Sequence, residues 1–315
     1  MNKQAILLMG PTATGKTDLA IELAQLYPIE IISVDSALIY RDMNIGTAKP
    51  TLQQLNKVAH HLIDIISPLE SYSVAEFIQD SMCLIHDIHK RGHLPILVGG
   101  TMMYFNGLLN GMSVLPKSDT KIRTLLEKEV KEHGLAHLYQ QLALIDPVTA
   151  HKINPNDKQR IMRSLEVYRI SGEVISVLQA NSHVHLASEI DFIPVSIMCD
   201  DRDILHKRIN QRFIKMLDDG FVDEVSKLRN KYPTLTYEYT AMRSVGYYQV
   251  WQYLEGLISF DELILQGSAA TRQLAKRQIT WLRKMNSYNI NNQDNLEYNI
   301  LKDNIIAYLK AKIKL

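Results

Sequence analysis

A glycine-rich turn near the start of the chain limits what it can fold into. Residues 5–17 read Ala-Ile-Leu-Leu-Met-Gly-Pro-Thr-Ala-Thr-Gly-Lys-Thr, an apolar run ending in Gly10-x-x-x-x-Gly15-Lys16-Thr17. The run reads as a buried strand, and Leu19, Ala20, Leu23 and Ala24 follow at helical spacing. Strand, loop and helix in this order make a phosphate-binding loop, in which backbone amides at a helix start converge on an anion. Gly10, Thr12, Ala13, Thr14 and Gly15 supply the backbone of that cradle, Lys16 a point charge, and Thr17 a hydroxyl suited to Mg²⁺. The motif leaves open whose phosphates are held.

Alternation continues beyond the loop. Residues 30–35 form an apolar strand ending on Asp35, 61–66 a third strand stopped by Ser67-Pro68, 73–91 a helix and 94–98 a fourth strand, after which Gly99-Gly100-Thr101 opens a helix through Leu109. Strands alternating with helices imply right-handed crossovers and a parallel sheet covered on both faces. The pattern changes at 115–119. Helices are expected at 122–132, 135–145 and 160–170, with no convincing strand before Ser182; strand character returns at 192–198, read as the last strand of the sheet. Helices follow at 203–217, 222–230, 242–253 and 260–285, then an Asn-rich loop at 286–299 and an amphipathic helix to Leu315. The expected fold is α/β: a P-loop parallel-sheet core begun by 1–115, a helical insertion domain at 116–190, and core completion with a helical C-terminal portion in 191–315.

Composition narrows the partners. A chain of 315 residues that is 46% hydrophobic and 22% charged has the material for a substantial core. Net charge is +1, so a nucleic acid would have to meet a local basic patch. Cys83 and Cys199 lie far apart, and the histidines show no metal-ligand spacing, which suits a reducing, cytoplasmic setting. The N-terminal apolar run is too short for a signal peptide or membrane span. No interface signature stands out, and a monomer is the expectation.

Ligands of open parallel sheets sit at the carboxyl ends of the strands. Asp35 and Thr101 both follow such ends, on the rim that carries the phosphate loop. Asp35 suits a Mg²⁺ ligand, a general base, or a plain helix cap beside Ser36. Thr101 suits a cap or a ligand contact, and Gly99-Gly100 suggests close approach of a ligand. Basic residues are segregated: 263–293 holds no acid but carries Arg272, Lys276, Arg277, Arg283 and Lys284. At helical spacing Arg272, Lys276 and Arg283 share one face, opposite an apolar face of Leu274, Trp281 and Leu282, a stripe suited to a nucleic-acid backbone. A second cluster comprises Lys158, Arg160, Arg163 and Arg169; a third comprises Arg202, Lys207, Arg208, Arg212 and Lys215, whose arginines suit phosphate oxygens.

Taken together these segments resemble the bacterial tRNA dimethylallyltransferases (tRNA isopentenyltransferases), prenyltransferases that modify the adenosine immediately 3′ of the anticodon. The resemblance rests on residues 10–17, on Ile-Ser-Val-Asp-Ser-Ala-Leu-Ile-Tyr-Arg at 32–41, Asn-Ile-Gly-Thr-Ala-Lys-Pro at 44–50 and Val-Gly-Gly-Thr-Met-Met-Tyr-Phe at 98–105. It continues through Asn-Pro-Asn-Asp-Lys-Gln-Arg at 154–160, Gln-Arg-Phe at 211–213 and Ala-Thr-Arg-Gln-Leu-Ala-Lys-Arg-Gln-Ile-Thr-Trp-Leu-Arg at 270–283. Ser244 and Tyr248 depart from the family's Arg-Cys-Val-Gly-Tyr-Arg-Gln. The resemblance implies that the loop grips dimethylallyl diphosphate rather than ATP, with Mg²⁺ as cofactor. Asp35 would be the base and Thr101 its partner at the reaction centre, while Arg208 or Arg212 would assist the leaving diphosphate. Asp35, Ser36, Ala37, Leu38 and Thr101 would meet the anticodon stem-loop of the tRNA, as would Arg123, Gln159, Arg160, Ile161, Met162, Arg163, Arg243, Lys276, Arg277, Gln278 and Arg283. From the residues alone, a P-loop small-molecule or nucleotide kinase is the alternative, and a non-catalytic RNA-binding or switch ATPase a third reading; the kinase reading accounts neither for the acid-free stretch 263–293 nor for an insertion bearing Gln159, Arg160 and Arg163.

Overall fold

The computed structural model describes residues 3–113, 115–181, 189–291 and 297–313. Strand β1 (Lys3–Met9) leads through the glycine-rich turn into helix α1 (Lys16–Ala24), and β2 (Ile29–Val34) follows. The short α2 (Leu52–Leu55) and β3 (His60–His61) precede α3 (Val74–Lys90), β4 (Leu94–Gly99) and α4 (Met102–Asn110). Then come α5 (Thr120–His133), α6 (Leu135–Ile145), α7 (Pro147–Lys152), α8 (Lys158–Ser171) and α9 (Ile175–Asn181). Strand β5 (Ile190–Met198) leads to α10 (Arg202–Asp218), α11 (Phe221–Lys231), α12 (Tyr247–Leu254) and α13 (Phe260–Leu282), then β6 (Tyr288–Asn291) and α14 (Glu297–Lys312). All strand pairs are parallel, in the order β3-β2-β4-β1-β5-β6. Every residue of β2 and β4 is buried, Glu30 and Ser33 of β2 included, as in a sheet covered on both faces.

Several local expectations are corrected. Of the strand foreseen at 61–66 only His61 joins a ladder, in β3 with His60, and Ile66 makes an isolated parallel bridge to Tyr40, because Leu62 (φ 60°) and Asp64 (φ 58°) turn the backbone left-handed between them. Residues 192–198 are not the end of the sheet: β6 pairs with β5 from Val195–Tyr288 to Met198–Asn291, inside the stretch read as an Asn-rich loop. Its polar residues mask a strand in which Ile290 is buried while Tyr288 and Asn289 are exposed. Residues 292–296 of that stretch, 182–188 at the end of the expected helical segment, and 314–315 of the last helix lie outside the described residues. The helix foreseen from 242 begins at Tyr247, since Gly246 holds φ 93° where a methyl would meet the Phe221 ring at 2.9 Å.

The chain divides into two compact units, Met1–Gly107 with Ser188–Leu315, and Leu108–Ala187. In the first, Ile6, Leu8, Ile96, Val195 and Ile197 pack with Leu19 and Leu23 of α1 and Ile305 and Leu309 of α14. A further cluster there joins Tyr40 and Met43 to Phe213, Phe221 and Tyr247. The second unit has its own core of Leu126, Leu138, Leu142, Ile161 and Leu165. Three of its helices start on capping aspartates: Asp119 of α5 accepts the Lys121 and Ile122 amides, Asp146 of α7 that of Thr149 behind Pro147, and Asp157 of α8 that of Arg160.

Candidate active site

The turn after β1 is shaped by two left-handed residues, Ala13 (φ 64°) and Gly15 (φ 78°), the second capping α1. A methyl on Gly10 would stand 2.7 Å from the Ile197 carbonyl, so backbone proximity to β5 demands glycine there. The buried Thr14 hydroxyl donates to the Pro11 carbonyl at 2.9 Å. Lys16 Nζ donates to the same carbonyl at 2.6 Å. Burial, with the positive charge of Arg212 added and Asp35 opposing, lowers the Lys16 pKa to about 7.

Asp35 leaves the end of β2, where its Oδ1 accepts the Ala37 amide at 2.8 Å and the Leu38 amide at 3.3 Å. Among the described residues no hydrogen bond occupies Oδ2. Burial pushes the carboxyl's pKa up, against the two amides and the charges of Lys16 and Arg212. Thr101 leaves the end of the adjacent β4, and its Oγ1 accepts the Ser36 amide at 3.0 Å. Asp35's turn and Thr101 are therefore tied together.

The phosphate loop and Asp35 share a cavity of about 350 Å³, within the range of small-molecule sites, and Thr101 stands just outside its lining, next to Gly100. Thr12 to Thr17, Asp35, Arg212 and Gln278 give it polar lining; Ile209, Phe213, Met216 and Leu274 give it apolar lining. A diphosphate head beside a short hydrocarbon suits that mixture. Among the described residues no group of three or more His, Cys, Asp or Glu could hold a metal by itself. The Thr17 hydroxyl and the adjoining Asp18 carboxylate, both in the lining, are nonetheless hard-oxygen donors of the kind that share Mg²⁺ with a phosphate group, so these residues fit that ion.

The expected site residues separate. Ala37 and Leu38 line the cavity and Ser36 is exposed beside it. Of the two arginines considered for the leaving group, Arg212 lines the cavity and Arg208 does not. Arg123, Gln159, Arg160, Arg243, Lys276, Arg277 and Arg283 are exposed. Ile161 and Met162, expected to touch RNA, are 0% and 6% exposed and belong to the core of their unit, because they lie on the inward stripe of α8. Arg163 on that helix donates to Glu166 and to the Pro116 carbonyl.

The stripe on α13 needs redrawing. Its buried residues are Leu263, Gly267, Ser268, Ala275, Gln278 and Leu282, while Trp281 is 41% exposed. The helix packs closely through small residues, with Phe213 standing where a Gly267 methyl would be, so hydrophobicity alone pointed Trp281 inward wrongly. Arg272 is half-buried and donates to Asn210 at 2.7 Å, outside any free basic face. Gln278 is buried against the phosphate loop instead of facing outward. The close approach signalled by Gly99 and Gly100 is to protein: methyls there would lie 2.0 Å from the Val34 carbonyl oxygen and 2.4 Å from Gln278 Nε2.

Sequence reasoning also passed over Glu224. Its carboxylate accepts the amides of Asn44, Ile45 and Gly46 and the Tyr247 hydroxyl, fixing a loop whose Gly46, Thr47, Ala48 and Pro50 line the cavity. An acid within the apolar stripe Phe221, Val225, Leu228 was the available signal.

The family model described as IPP transferase matches residues 38–285. A protein of Chromobacterium violaceum named tRNA dimethylallyltransferase is 50% identical over 309 residues, covering 98% of this chain and 95% of its own. One of the same name from Francisella tularensis subsp. tularensis is 54% identical, covering 91% of this chain and 92% of its own. Among solved structures, the full-length tRNA isopentenylpyrophosphate transferase of Bacillus halodurans aligns with TM-score 0.69 at 33% identity, over 98% of both chains. A eukaryotic dimethylallyltransferase described as acting on tRNA aligns with TM-score 0.83 at 28% identity, over 99% of this chain and 81% of its own.

Proposed function

The chain belongs to the IPP transferase family, and from that membership we propose that its cavity takes dimethylallyl diphosphate and passes the allyl group to tRNA, on the exocyclic N6 amine of the adenosine 3′-adjacent to the anticodon. It is a prenyltransferase, and the kinase alternative is set aside. The observation that carries the finer reading is the pairing, in one cavity, of a phosphate loop with an acid whose second oxygen is unengaged and whose basicity is raised by burial.

Adenine's amine is a poor nucleophile because its lone pair is delocalised into the ring. As it attacks the allylic carbon, a proton must leave nitrogen; Asp35 Oδ2 accepts it, and the raised pKa makes that acceptance more favourable. The carbon–oxygen bond breaks and its electron pair departs with diphosphate, whose growing charge meets the loop amides, Lys16 and Arg212. A bound Mg²⁺ would add Lewis-acid stabilisation of that charge, held by Thr17 with an acidic neighbour from the lining. Thr101 keeps the 35–38 turn in place through the Ser36 amide. The target base must be splayed out of the anticodon loop to enter. In this reading Arg123, Gln159, Arg160 and Arg163 of the helical segment 116–190 meet tRNA, as do Arg243 and the exposed Lys276, Arg277 and Arg283. Among the described residues no helix is long and apolar enough to cross a membrane; a cytoplasmic monomer completes the reading.

The test is label transfer. Purified protein with labelled dimethylallyl diphosphate, Mg²⁺ and unmodified tRNA should move label into tRNA; no label in tRNA, with ATP turned over on a small acceptor, overturns it. Asp35→Asn should lower turnover by about 10²- to 10⁴-fold while tRNA binding persists, and equal loss of both would make the acid structural.

A further inference from the structure

We propose that Gln278 is a positioning residue that holds the leaving-group side and the acceptor side of the reaction site in register; this rests on reading the cavity as a prenyl-transfer site. Gln278 projects from α13 and is 8% exposed. Its Oε1 accepts the Thr12 amide at 2.9 Å, and its Nε2 donates to the Gly100 carbonyl at 2.9 Å. One planar amide thus bridges the turns that leave the carboxyl ends of the neighbouring strands β1 and β4. Thr12 begins the phosphate cradle. Gly100 adjoins Thr101, which bonds the Ser36 amide beside Asp35. The path from diphosphate grip to proton acceptor therefore runs loop, Gln278, Thr101, Asp35.

Only glutamine meets this geometry. Glutamate keeps an acceptor for Thr12 but loses the donor for Gly100; methionine loses both at similar length; asparagine is one methylene short. Gly100 is glycine for the same reason, as a methyl would stand 2.4 Å from Nε2, with its next neighbours beyond 3.3 Å. Attack on carbon depends steeply on alignment, and a misplacement of about 1 Å costs on the order of 10²-fold. A bridge acting on alignment rather than on binding should show in kcat.

The experiment uses the full chain with dimethylallyl diphosphate and tRNA. Gln278→Met and Gln278→Glu should each lower kcat about ten- to a hundredfold, with both KM values within about threefold of the parent. Unchanged kcat, or a rise in KM without loss of kcat, overturns the proposal. A second measurement needs no turnover. Gly100→Ala should lower Tm by driving its methyl into the Gln278 amide, and Gly100→Ala with Gln278→Ala should recover part of that loss while kcat stays at the level of Gln278→Ala alone. Additive Tm losses overturn the bridge. A parent protein that transfers no label to tRNA sinks the functional reading instead, leaving the bridge to be judged by the Tm cycle.

Discussion

Lys16 shows how one residue can be legible in sequence yet act differently from its motif. The glycine pattern identifies it because the motif is local and contiguous; its lowered pKa comes from burial and from Arg212, which adjacent residues do not encode. Its ammonium donates to the Pro11 carbonyl at 2.6 Å. A diphosphate arriving there favours the charged form, so the Lys16 pKa rises on binding and a proton is taken up. Affinity for inorganic diphosphate should therefore be greatest below pH 7 and fall, by up to about tenfold per unit, as pH rises above it. Calorimetry in buffers of different ionisation enthalpy reads the proton uptake. Lys16→Arg, charged at every accessible pH, should flatten the part of the pH dependence that the lysine contributes. An identical profile in the variant would remove Lys16 as the titrating group. Asp35 and Thr101 were legible by the strand-end rule, but their link through the Ser36 amide was not, because it joins residues 65 apart in sequence.

At the scale of elements, legibility followed burial. The strands buried on both faces, β1, β2 and β4, announce themselves as apolar runs. The edge strand β6 hides in polar residues, since its pairing uses backbone groups that carry no side-chain signature. Helix α13 was found, but its inward face was misjudged because small residues and Gln278 make up that face. Its exposed side still carries Lys276 and Arg277, and Arg283 and Lys284 are exposed just past its end. Lys276→Ala or Arg283→Ala should weaken tRNA binding and lower the slope of log affinity against log salt by about one for each phosphate left unneutralised, with diphosphate affinity unchanged. Filter binding over a salt series measures this, and an unaltered slope would place RNA elsewhere. Helix α11 offers a separate test through Glu224, 9% exposed and bonded to three successive amides. Glu224→Gln turns an amide donor toward donors, and should cost about 2–4 kcal/mol by urea unfolding, whereas Tyr247→Phe, deleting one hydroxyl from the same network, should cost about 1–2 kcal/mol.

For the molecule as a whole, a charged cluster around Glu30 contributes to acid stability. Glu30, at the start of β2 and 5% exposed, was read only as part of an apolar strand. Its carboxylate accepts Arg91 Nε at 2.8 Å and Nη2 at 2.7 Å, and meets His61 Nε2 at 2.7 Å and His93 Nδ1 at 2.9 Å. The cluster thereby joins β2, β3, the end of α3 and the approach to β4, towards the amino ends of β2 and β4, whereas the phosphate loop lies at the carboxyl end of β1. The Arg91 bonds, foremost, hold the Glu30 pKa at about 2 against an ordinary 4.5, in spite of burial. The folded chain therefore keeps this carboxylate ionised where the unfolded chain protonates it. Its contribution is complete above about 4.5 and vanishes as pH falls to about 2. The shift corresponds to about 3 kcal/mol, and partial exposure of Arg91 brings the expectation nearer 2 kcal/mol. Urea unfolding of the parent and Glu30→Gln from pH 7 to pH 2 should show the two curves about 2 kcal/mol apart at neutral pH and converging below pH 4. Curves that stay parallel down to pH 2 would mean that the glutamate stabilises by packing rather than by charge.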